Sequence, residues 1–336
     1  MSLRNLKKIE EENLRTKAEE IFYELGLVKD LTIPIEPDNS AEKPKLAISF
    51  SGGRTSAVMT KLCLEKYGDT HDIQVTFANT GAEHPATYEF VNECDLNWGF
   101  NVVWLEAVVD PRPNKGIRHK IVNYETASRN GEPFEAFVAK YGVPNRTTPQ
   151  CTARLKTEVM ESYLKSQGFL RGKKLNYTTA IGIRADEIGR MSSVQERENF
   201  FYPLIDVWPM TKADVNRYMA QFPWDLNLPS DAYGNCVFCW KKTLRKLCTV
   251  AEKNPEFFEI PDRLETKYGD VKPGAASGPD GRRTFFKGHR SAKDIIALAE
   301  EGQFTKYTDP EWDIASDCSE SCEVYSDAAA PEKILI

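Results

Sequence analysis

A loop rich in serine and glycine follows a short apolar segment near residue 50. Residues 45–48 are typical of a buried strand, and residues 57–64 are typical of the first turns of a helix. A strand that opens directly into a helix places unpaired backbone N–H groups and the positive end of the helix dipole at the loop, which favours a bound anion. The pattern therefore predicts a phosphate-binding loop, although a tight turn without a ligand has the same signature.

Each residue type in this loop suits the predicted role. Two adjacent glycines let the backbone approach an anion closely, the hydroxyl groups can donate hydrogen bonds, and an arginine adds positive charge. The loop lacks the Gly-Lys-Ser/Thr ending of a Walker A motif, which disfavours an ordinary P-loop kinase or GTPase. The predicted ligand-binding residues are Ser49, Ser51, Gly52, Gly53, Arg54, Thr55 and Ser56.

A second polar segment follows the next predicted strand. It contains Asn79, Thr80, Gly81 and Glu83, all predicted to bind the ligand. Gly81 permits a bend, and Thr80 and Glu83 offer polar contacts. The alternative is a strand-to-helix turn in which Glu83 lies favourably near a helix start.

A third polar segment places two arginines on either side of two carboxylates. Arginine can bind phosphate or sulfate through two parallel hydrogen bonds, and ion pairs with the carboxylates would order the loop. Asp186 or Glu187 could instead bind Mg²⁺, and a surface salt-bridge network is the structural alternative. The segment supplies Gly182, Arg184 and Arg190 as predicted ligand-binding residues, and Arg184, Asp186 and Glu187 as predicted catalytic residues.

Four of the eight cysteines have the spacing or context of metal ligands. Cys236, Cys239 and Cys248 form a Cys-x2-Cys-x8-Cys set, and Cys151 lies far upstream. Four thiolates suit a tetrahedral zinc or a 4Fe–4S cluster. The sequence leaves iron–sulfur, structural zinc and unligated thiols open.

Two more cysteines, Cys318 and Cys322, lie in an acidic C-terminal segment. A flexible tail could carry either thiol to a ligand pocket, so both are predicted catalytic residues that would carry sulfur. The neighbouring carboxylates would raise the pKa of these thiols, which weakens them as nucleophiles. An incidental or second metal-binding role therefore stays open.

Strand and helix patterns alternate from residue 45 onward. The predicted strands cover residues 45–50, 73–78, 102–105, 177–183 and 201–205. This alternation predicts an α/β fold with a doubly wound, mostly parallel five-stranded sheet that binds ligands at the carboxyl ends of its strands. We expect an N-terminal amphipathic helix and linker (1–44), a nucleotide-binding α/β domain (45–210) and a helical, cysteine-containing C-terminal region with a flexible tail (211–336).

The net charge of −6 gives no global positive field that would attract nucleic acid. Basic clusters at residues 112–120, 140–156, 241–246 and 282–293 are solvated faces or local binding sites. The N-terminal sequence has no signal-peptide core, and no apolar run is long enough to span a bilayer, so we expect a cytoplasmic protein without membrane partners. Reduced thiols in that compartment favour metal or redox chemistry over disulfides.

The ordered set of motifs resembles a known family. Ser-Gly-Gly-x-x-Ser at residues 51–56 is similar to the PP-loop of the adenine nucleotide alpha-hydrolase-like superfamily. Residues 77–83, 182–187 and 234–239 match, in order, the phosphoadenosine phosphosulfate (PAPS) reductase family, and the resemblance covers about residues 45–248. It implies a bound adenine nucleotide beside the turn after residue 79. It also implies that Cys151 and the later Cys-x2-Cys pair supply ligands to an iron–sulfur cluster.

Three departures from the family pattern bear on the reaction. The stretch from Cys151 to Lys156 resembles the Cys-Cys-x-x-Arg-Lys motif of adenylyl-sulfate (APS) reductases, which makes Lys156 a predicted nucleotide contact, but Thr152 and Leu155 replace the second cysteine and the arginine. This looks closer to the DNA phosphorothioation sulfurtransferase. The C-terminal Glu-Cys-Gly-x-His motif of PAPS reductases is absent. Thr55 stands where nucleotide-hydrolysing PP-loops have an aspartate that helps to organise Mg²⁺.

The resemblance implies three hypotheses for the function. The first is sulfur transfer through an adenylated intermediate, with ATP and a cysteine-ligated 4Fe–4S cluster. The second is a reductase acting on PAPS or APS. The third is a non-catalytic nucleotide-sensing or nucleic-acid-binding protein with structural zinc. The expected partners are an adenine nucleotide and a sulfur donor protein or thiol reductant, while Mg²⁺, a nucleic acid substrate and a homodimer stay open.

Overall fold

A computed structural model of the chain describes residues 43–170, 176–190 and 199–302. The predicted N-terminal helix and the tail thiols of Cys318 and Cys322 lie outside the described residues, as does the side chain of Arg190. No helix within the described ranges is long and apolar enough to cross a membrane.

A six-stranded sheet forms the centre of the fold. Its strands are β1 (Lys45–Ser49), β2 (Asp72–Asn79), β3 (Val103–Val109), β4 (Ile117–Val122), β5 (Tyr177–Ala180) and β6 (Phe200–Phe201). They lie in the order β4-β3-β2-β1-β5-β6. Every neighbouring pair is parallel except β3 and β4, which are antiparallel. The predicted doubly wound, mostly parallel α/β sheet is confirmed, with one strand more than the five expected.

The sequence prediction missed β4 and misplaced the end of the sheet. The β4 strand lies at the sheet edge and exposes Arg118 and Lys120, so its sequence lacks the apolar run of a buried strand. The last predicted strand covered residues 201–205, whereas β6 ends at Phe201. Pro203 begins a short helix there because its fixed φ suits a first helical turn and it has no N–H to give to a strand partner.

Nine helices occur in the described part of the chain. They are α1 (Arg54–Tyr67), α2 (Pro85–Trp98), α3 (Glu132–Tyr141), α4 (Glu158–Ser166), α5 (Pro203–Asp206), α6 (Lys212–Met219), α7 (Leu244–Lys253), α8 (Glu259–Tyr268) and α9 (Ala292–Glu300). A π-helical turn, Ala153–Thr157, precedes α4, and short 3-10 turns cover Ala185–Arg190, Asp231–Tyr233 and Pro255–Phe258.

Local signals explain several helix starts. The side chain of Thr211 accepts a hydrogen bond from the Asp214 backbone while Asp214 returns one to the Thr211 backbone, which forms a capping box at α6. Ser291 and Asp294 form the same arrangement at α9. The helix that leads into α4 contains a π-helical turn, Ala153–Thr157. Such turns widen a helix locally and are common at functional sites.

Two hydrophobic cores cover the two faces of the sheet. One contains residues of α1, α2, α5 and α6, and the other contains residues of α3, α4, α7, α8 and α9. Central strands buried on both faces explain why the three middle residues of β1, Leu46 to Ile48, are all apolar. Residues after 211 contribute to both cores, and the division into domains stays a prediction.

The ring of Phe134 joins the C-terminal region to the sheet. Its centroid lies 6.0 Å from that of Phe137, 5.6 Å from that of Phe238 and 5.9 Å from that of Phe285. Phe134 is 3% exposed, so these contacts exclude water. The aromatic cluster therefore connects α3 with two segments more than a hundred residues away.

We expect Phe134→Ala to lower the free energy of unfolding by about 3–5 kcal/mol, because it removes a buried ring and leaves a cavity. Urea denaturation followed by circular dichroism measures the effect. Leu96→Ala is the control, since that side chain is 74% exposed, and we expect a change within about 0.5 kcal/mol. Equal costs for the two variants would contradict a shared core around Phe134.

Candidate functional site

The loop between β1 and α1 has the geometry of an anion cradle. Gly52 has a φ of +79°, and a Cβ atom there would lie 2.7 Å from Cγ2 of Thr87. Gly53 precedes α1 with extended backbone and provides no side-chain cap for the helix start. The first amides of α1 are therefore left without a capping side chain, as an anion-binding helix start requires.

The hydroxyl groups of the loop hold its shape. The Oγ atoms of Ser51 and Ser56 lie 2.8 Å apart, and the backbone N–H of Ser51 donates to Oγ of Ser56 at 3.2 Å. Oγ of Ser56 also donates to the carbonyl of Gly53 at 3.0 Å. Ser49 contacts the sulfur of Met160 at 3.7 Å. Ser51 and Ser56 thus fold the cradle.

Arg54 anchors the start of α1 to a later segment of the chain. Its Nε donates to Oδ1 of Asp225 at 2.7 Å, and its NH2 group donates to the carbonyl of Leu226 at 2.7 Å. These bonds attach the start of α1 to a segment 171 residues later. The role of Arg54 as a cation for phosphate stays a prediction.

A second arginine occupies the position between the cradle and the loop after β5. The NH1 group of Arg184 donates to Oγ1 of Thr55 at 3.2 Å, and its Nε donates to Oδ1 of Asp186 at 3.0 Å. Glu187 lies 3.4 Å from its NH2 group. Arg184 is only 5% exposed, so the loop holds a nearly buried positive charge against the first turn of α1.

Close packing brings this loop to the cradle. A Cβ atom on Gly182 would lie 3.3 Å from the Cα atom of Ser56, so a larger residue would push the loop away. Partial burial acts to raise the pKa of Asp186, but hydrogen bonds and charge from Arg184 outweigh it and lower the pKa below its usual value. An ionised Asp186 therefore stands beside the cradle, where a Mg²⁺ ion could use it.

Asn79 and Gly81 build the turn after β2. The amide nitrogen of Asn79 donates to Oε1 of Glu106 at 2.8 Å and to the carbonyl of Ser128 at 2.9 Å. Its side-chain oxygen accepts from the N–H of Gly81 at 2.9 Å. Gly81 has a φ of +75°, and a Cβ atom there would lie 2.9 Å from the nitrogen of Gly131. Both residues therefore shape the turn, and Asn79 is fully buried.

The carboxylate of Glu83 lies buried under this turn. It accepts hydrogen bonds from the hydroxyl of Thr80 at 2.7 Å and from the hydroxyl of Tyr88 at 3.2 Å, and both Thr80 and Ala82 donate their backbone N–H groups to it. The Nζ atom of Lys156 lies 3.9 Å away. Burial, followed by the negative charge of Glu83, raises the pKa of Tyr88 well above its usual value, which keeps the phenol as a donor.

The four predicted metal-ligand cysteines are distributed around this turn and the C-terminal helices. Sγ of Cys236 lies 3.4 Å from Oγ1 of Thr80, and the N–H of Cys239 donates to the carbonyl of Cys236. Cys151 accepts a hydrogen bond from the indole of Trp240 at 3.5 Å, next to Cys239 in sequence. Cys248 lies buried on α7, and burial raises the pKa of its thiol to about 11.

This arrangement does not fit a metal centre. Among residues 43–170, 176–190 and 199–302, no three histidine, cysteine or carboxylate side chains are grouped so that they could hold a metal ion. Cys151 lies near the Cys236–Cys239 segment, but its sulfur accepts a hydrogen bond from the indole of Trp240. The sulfur of Cys236 instead contacts the hydroxyl of Thr80. No step of the reaction proposed below uses an iron–sulfur cluster or zinc, and the four-cysteine centre stays a prediction.

Sequence reasoning missed three residues that support the site. Glu106 fixes Asn79, and Asp225 holds Arg54. The ammonium group of Lys242 is buried and donates to the carbonyls of Ala232 and Val237, which orders the backbone around Cys236. Their partners lie 5 to 171 residues away in the chain, and no periodic pattern in a sequence reports such contacts.

A match to a protein-family model identifies the family of the chain. A model of the phosphoadenosine phosphosulfate reductase domain matches residues 45–223. The chain belongs to the PAPS reductase family. The predicted family assignment is thereby confirmed, at the level of an enzyme family that handles sulfonucleotides.

Curated relatives of the PAPS reductase-family chain carry no assigned activity. The uncharacterized nin region protein ORF290 of Escherichia phage lambda is 33% identical over 83% of this chain and 94% of its own length. An uncharacterized protein of Methanocaldococcus jannaschii is 27% identical over 48% of this chain and 32% of its own length. A crystal structure of PAPS reductase from Candida auris, in a phosphate complex, is 16% identical with a TM-score of 0.30 and covers 53% of this chain and 72% of that one.

We expect Glu83→Gln to lower the free energy of unfolding by about 2–4 kcal/mol, because an amide cannot accept all the hydrogen bonds that the buried carboxylate receives and leaves the charge of Lys156 less compensated. Urea denaturation measures the loss. Glu93→Gln on α2 is the matched control, since its carboxylate is half-buried and accepts a hydrogen bond from the exposed side chain of Asn97. A cost for Glu83→Gln within about 0.5 kcal/mol of the control would contradict the network.

Proposed function

We propose that this member of the PAPS reductase family is an adenine-nucleotide-dependent sulfur-transfer enzyme. The observation that carries the proposal is the buried guanidinium of Arg184, which hydrogen-bonds Thr55 in the first turn of the cradle helix. A positive charge held beside uncapped helix amides is suited to the phosphates of a nucleotide.

The proposed reaction has two steps. An oxygen of the acceptor attacks the α-phosphorus of ATP, the bond from that phosphorus to the bridging oxygen breaks, and pyrophosphate leaves with the electron pair. A sulfur nucleophile from a donor protein then attacks the activated acceptor atom and displaces AMP. The cradle amides and Arg184 would stabilise the negative charge that develops on the leaving pyrophosphate.

Thr55 suits this role for Arg184. An aspartate at residue 55 would place a carboxylate against the guanidinium and cancel part of its charge. A threonine hydroxyl instead accepts one hydrogen bond from the guanidinium and adds no negative charge. The carboxylates that pair with Arg184 are then those of Asp186 and Glu187. If Mg²⁺ takes part, Asp186 is the proposed ligand because its carboxylate is 39% exposed.

A sulfonucleotide reductase is the second candidate, and the description of the matching family model favours it. In that reaction the same cradle would hold the phosphates of PAPS or APS while a thiol reductant releases sulfite. The sequence lacks the Glu-Cys-Gly-x-His motif that supplies the nucleophile in PAPS reductases. A nucleotide-sensing or nucleic-acid-binding protein without turnover is the third outcome of the test.

The test compares products from two substrates. The purified protein is incubated with ATP, Mg²⁺, sulfide and a protein-free cell extract as the pool of acceptors, and separately with PAPS or APS and dithiothreitol. We expect pyrophosphate and AMP in equal amounts from ATP, and no sulfite. Sulfite release would overturn the proposal in favour of the reductase, and nucleotide binding with neither product would favour a sensor.

We expect Arg184→Lys to weaken binding of ATP by about tenfold or more, because lysine keeps the charge but loses the hydrogen bonds that aim it at the cradle. Isothermal titration calorimetry measures the dissociation constant. Arg217→Lys is the matched control, since Arg217 lies on α6 with its side chain 75% exposed. Unchanged affinity in Arg184→Lys would show that Arg184 does not contact the nucleotide.

A further inference from the structure

Three cationic side chains surround one aromatic ring on a protein whose net charge is −6. The ammonium groups of Lys140 and Lys272 each lie 5.2 Å from the centroid of Tyr141, and the guanidinium carbon of Arg154 lies 4.9 Å from it. Tyr141 is itself stacked on Phe137. Each cation gains from the ring, but the three repel one another at this spacing.

The hairpin between β3 and β4 extends this positive surface. Nζ of Lys140 donates to the carbonyls of Asp110 and Lys115 at 2.6 and 2.7 Å, which attaches the hairpin to the end of α3. Lys115 is exposed, and the side chain of Arg112 is 70% exposed. We define the hairpin surface as Arg112, Lys115, Lys140, Arg154 and Lys272.

Carboxylates balance only part of this charge. Asp110 pairs with Arg112 and also attracts the ammonium group of Lys140, and Glu158 pairs with Arg154. Lys115, Lys140 and Lys272 have no carboxylate oxygen within 4 Å in the part of the chain that the structure describes. An anionic ligand would relieve the repulsion among these groups, so the surface is built for a partner with several negative charges.

The hairpin surface adjoins the candidate site. β3 runs parallel to β2, so its end at Val109 lies at the same edge of the sheet as the turn that contains Thr80. Arg154 lies in the same π-helical turn as Lys156, whose Nζ is 3.9 Å from the Glu83 carboxylate. A chain of phosphates on the hairpin surface would therefore continue toward the nucleotide cradle.

We infer that the hairpin surface binds the phosphate backbone of a nucleic acid. A phosphodiester chain presents one negative charge per nucleotide over a long stretch, and a basic surface that binds it releases its condensed counterions, whereas an acidic protein segment presents fewer and less regular charges. Guanidinium groups such as those of Arg112 and Arg154 also match phosphate oxygens in a planar, two-point geometry. Binding of a nucleic acid is inferred from the hairpin surface alone. Only the further statement that this nucleic acid is the sulfur acceptor rests on the proposed function.

The test measures fluorescence anisotropy of labelled single-stranded RNA, single-stranded DNA and duplex DNA of about 20 nucleotides, with the full chain and without ATP, over about 50–200 mM salt. We expect binding that weakens with salt. The variant Lys140→Gln/Arg154→Gln/Lys272→Gln should bind at least about tenfold more weakly and reduce the salt slope by about 2 for single strands. Comparing RNA with DNA and single strands with duplex identifies the form that binds best.

Two further variants separate binding from folding. Lys115→Gln/Lys272→Gln changes only exposed side chains, leaves the contact between Lys140 and the hairpin in place, and should reduce the salt slope by about 1.4. Lys165→Gln/Lys253→Gln removes two exposed charges outside the hairpin surface and should leave the affinity unchanged. Binding that is absent, or equal in all variants, would overturn the inference.

Two more readouts distinguish this inference from the proposed function. Poly-glutamate that competes with the oligonucleotide at equal charge concentration would overturn the choice of nucleic acid in favour of an acidic protein. Pyrophosphate release tests the cradle separately: binding without pyrophosphate supports the hairpin surface and contradicts the proposed reaction. Pyrophosphate without oligonucleotide binding supports the reaction and contradicts the surface.

Discussion

The buried guanidinium of Arg184 connects the two loops on which the candidate site depends. A charge that is 5% exposed is costly unless hydrogen bonds compensate for its lost hydration. Thr55, Asp186 and Glu187 provide that compensation from both sides of the gap between α1 and β5. The interaction therefore holds the glycine cradle and the loop after β5 together, and it keeps a positive charge against the first turn of α1.

A second buried network, around Glu83, holds the turn after β2 in place. Its carboxylate gathers the hydroxyl groups of Thr80 and Tyr88 and lies within 3.9 Å of both Lys156 and Cys236. These groups come from the turn after β2, from α2, from the turn before α4 and from the C-terminal region. Because Thr80, Tyr88 and Lys156 are nearly buried, moving one would leave another without its partner. Hydrogen bonds therefore hold this side of the candidate site in one conformation, and glycines occur where the backbone turns.

Charge is unevenly distributed across this edge of the sheet. The interior networks pair nearly every charge that they contain, whereas the hairpin surface crowds cations around Tyr141 with few carboxylates nearby. The ring stabilises each cation, but the cations repel one another, and relief of this repulsion is the basis of the proposed binding role. The position of the hairpin follows from topology, since β3 ends at the edge where β2 also ends.

Local sequence signals were enough to predict the glycine loop and the alternation of strands and helices, because backbone conformation and apolar periodicity act over a few residues. The same signals were insufficient for β4, whose exposed cations suit a sheet edge, and for the end of β6, where Pro203 begins a helix. They also could not predict the hydrogen bond between Arg54 and Asp225, which lie 171 residues apart.

The order of residues in the chain thus determined which side chains stand at strand ends, and the family motifs followed from that order. Only the folded structure decided which of them meet. Arg184 reaches Thr55 across 129 residues and Cys236 reaches Thr80 across 156, contacts that depend on strand order and on the packing of helices on both faces. Such distant pairs leave no periodic trace in a sequence, because their energy is realised only when burial removes the competing water.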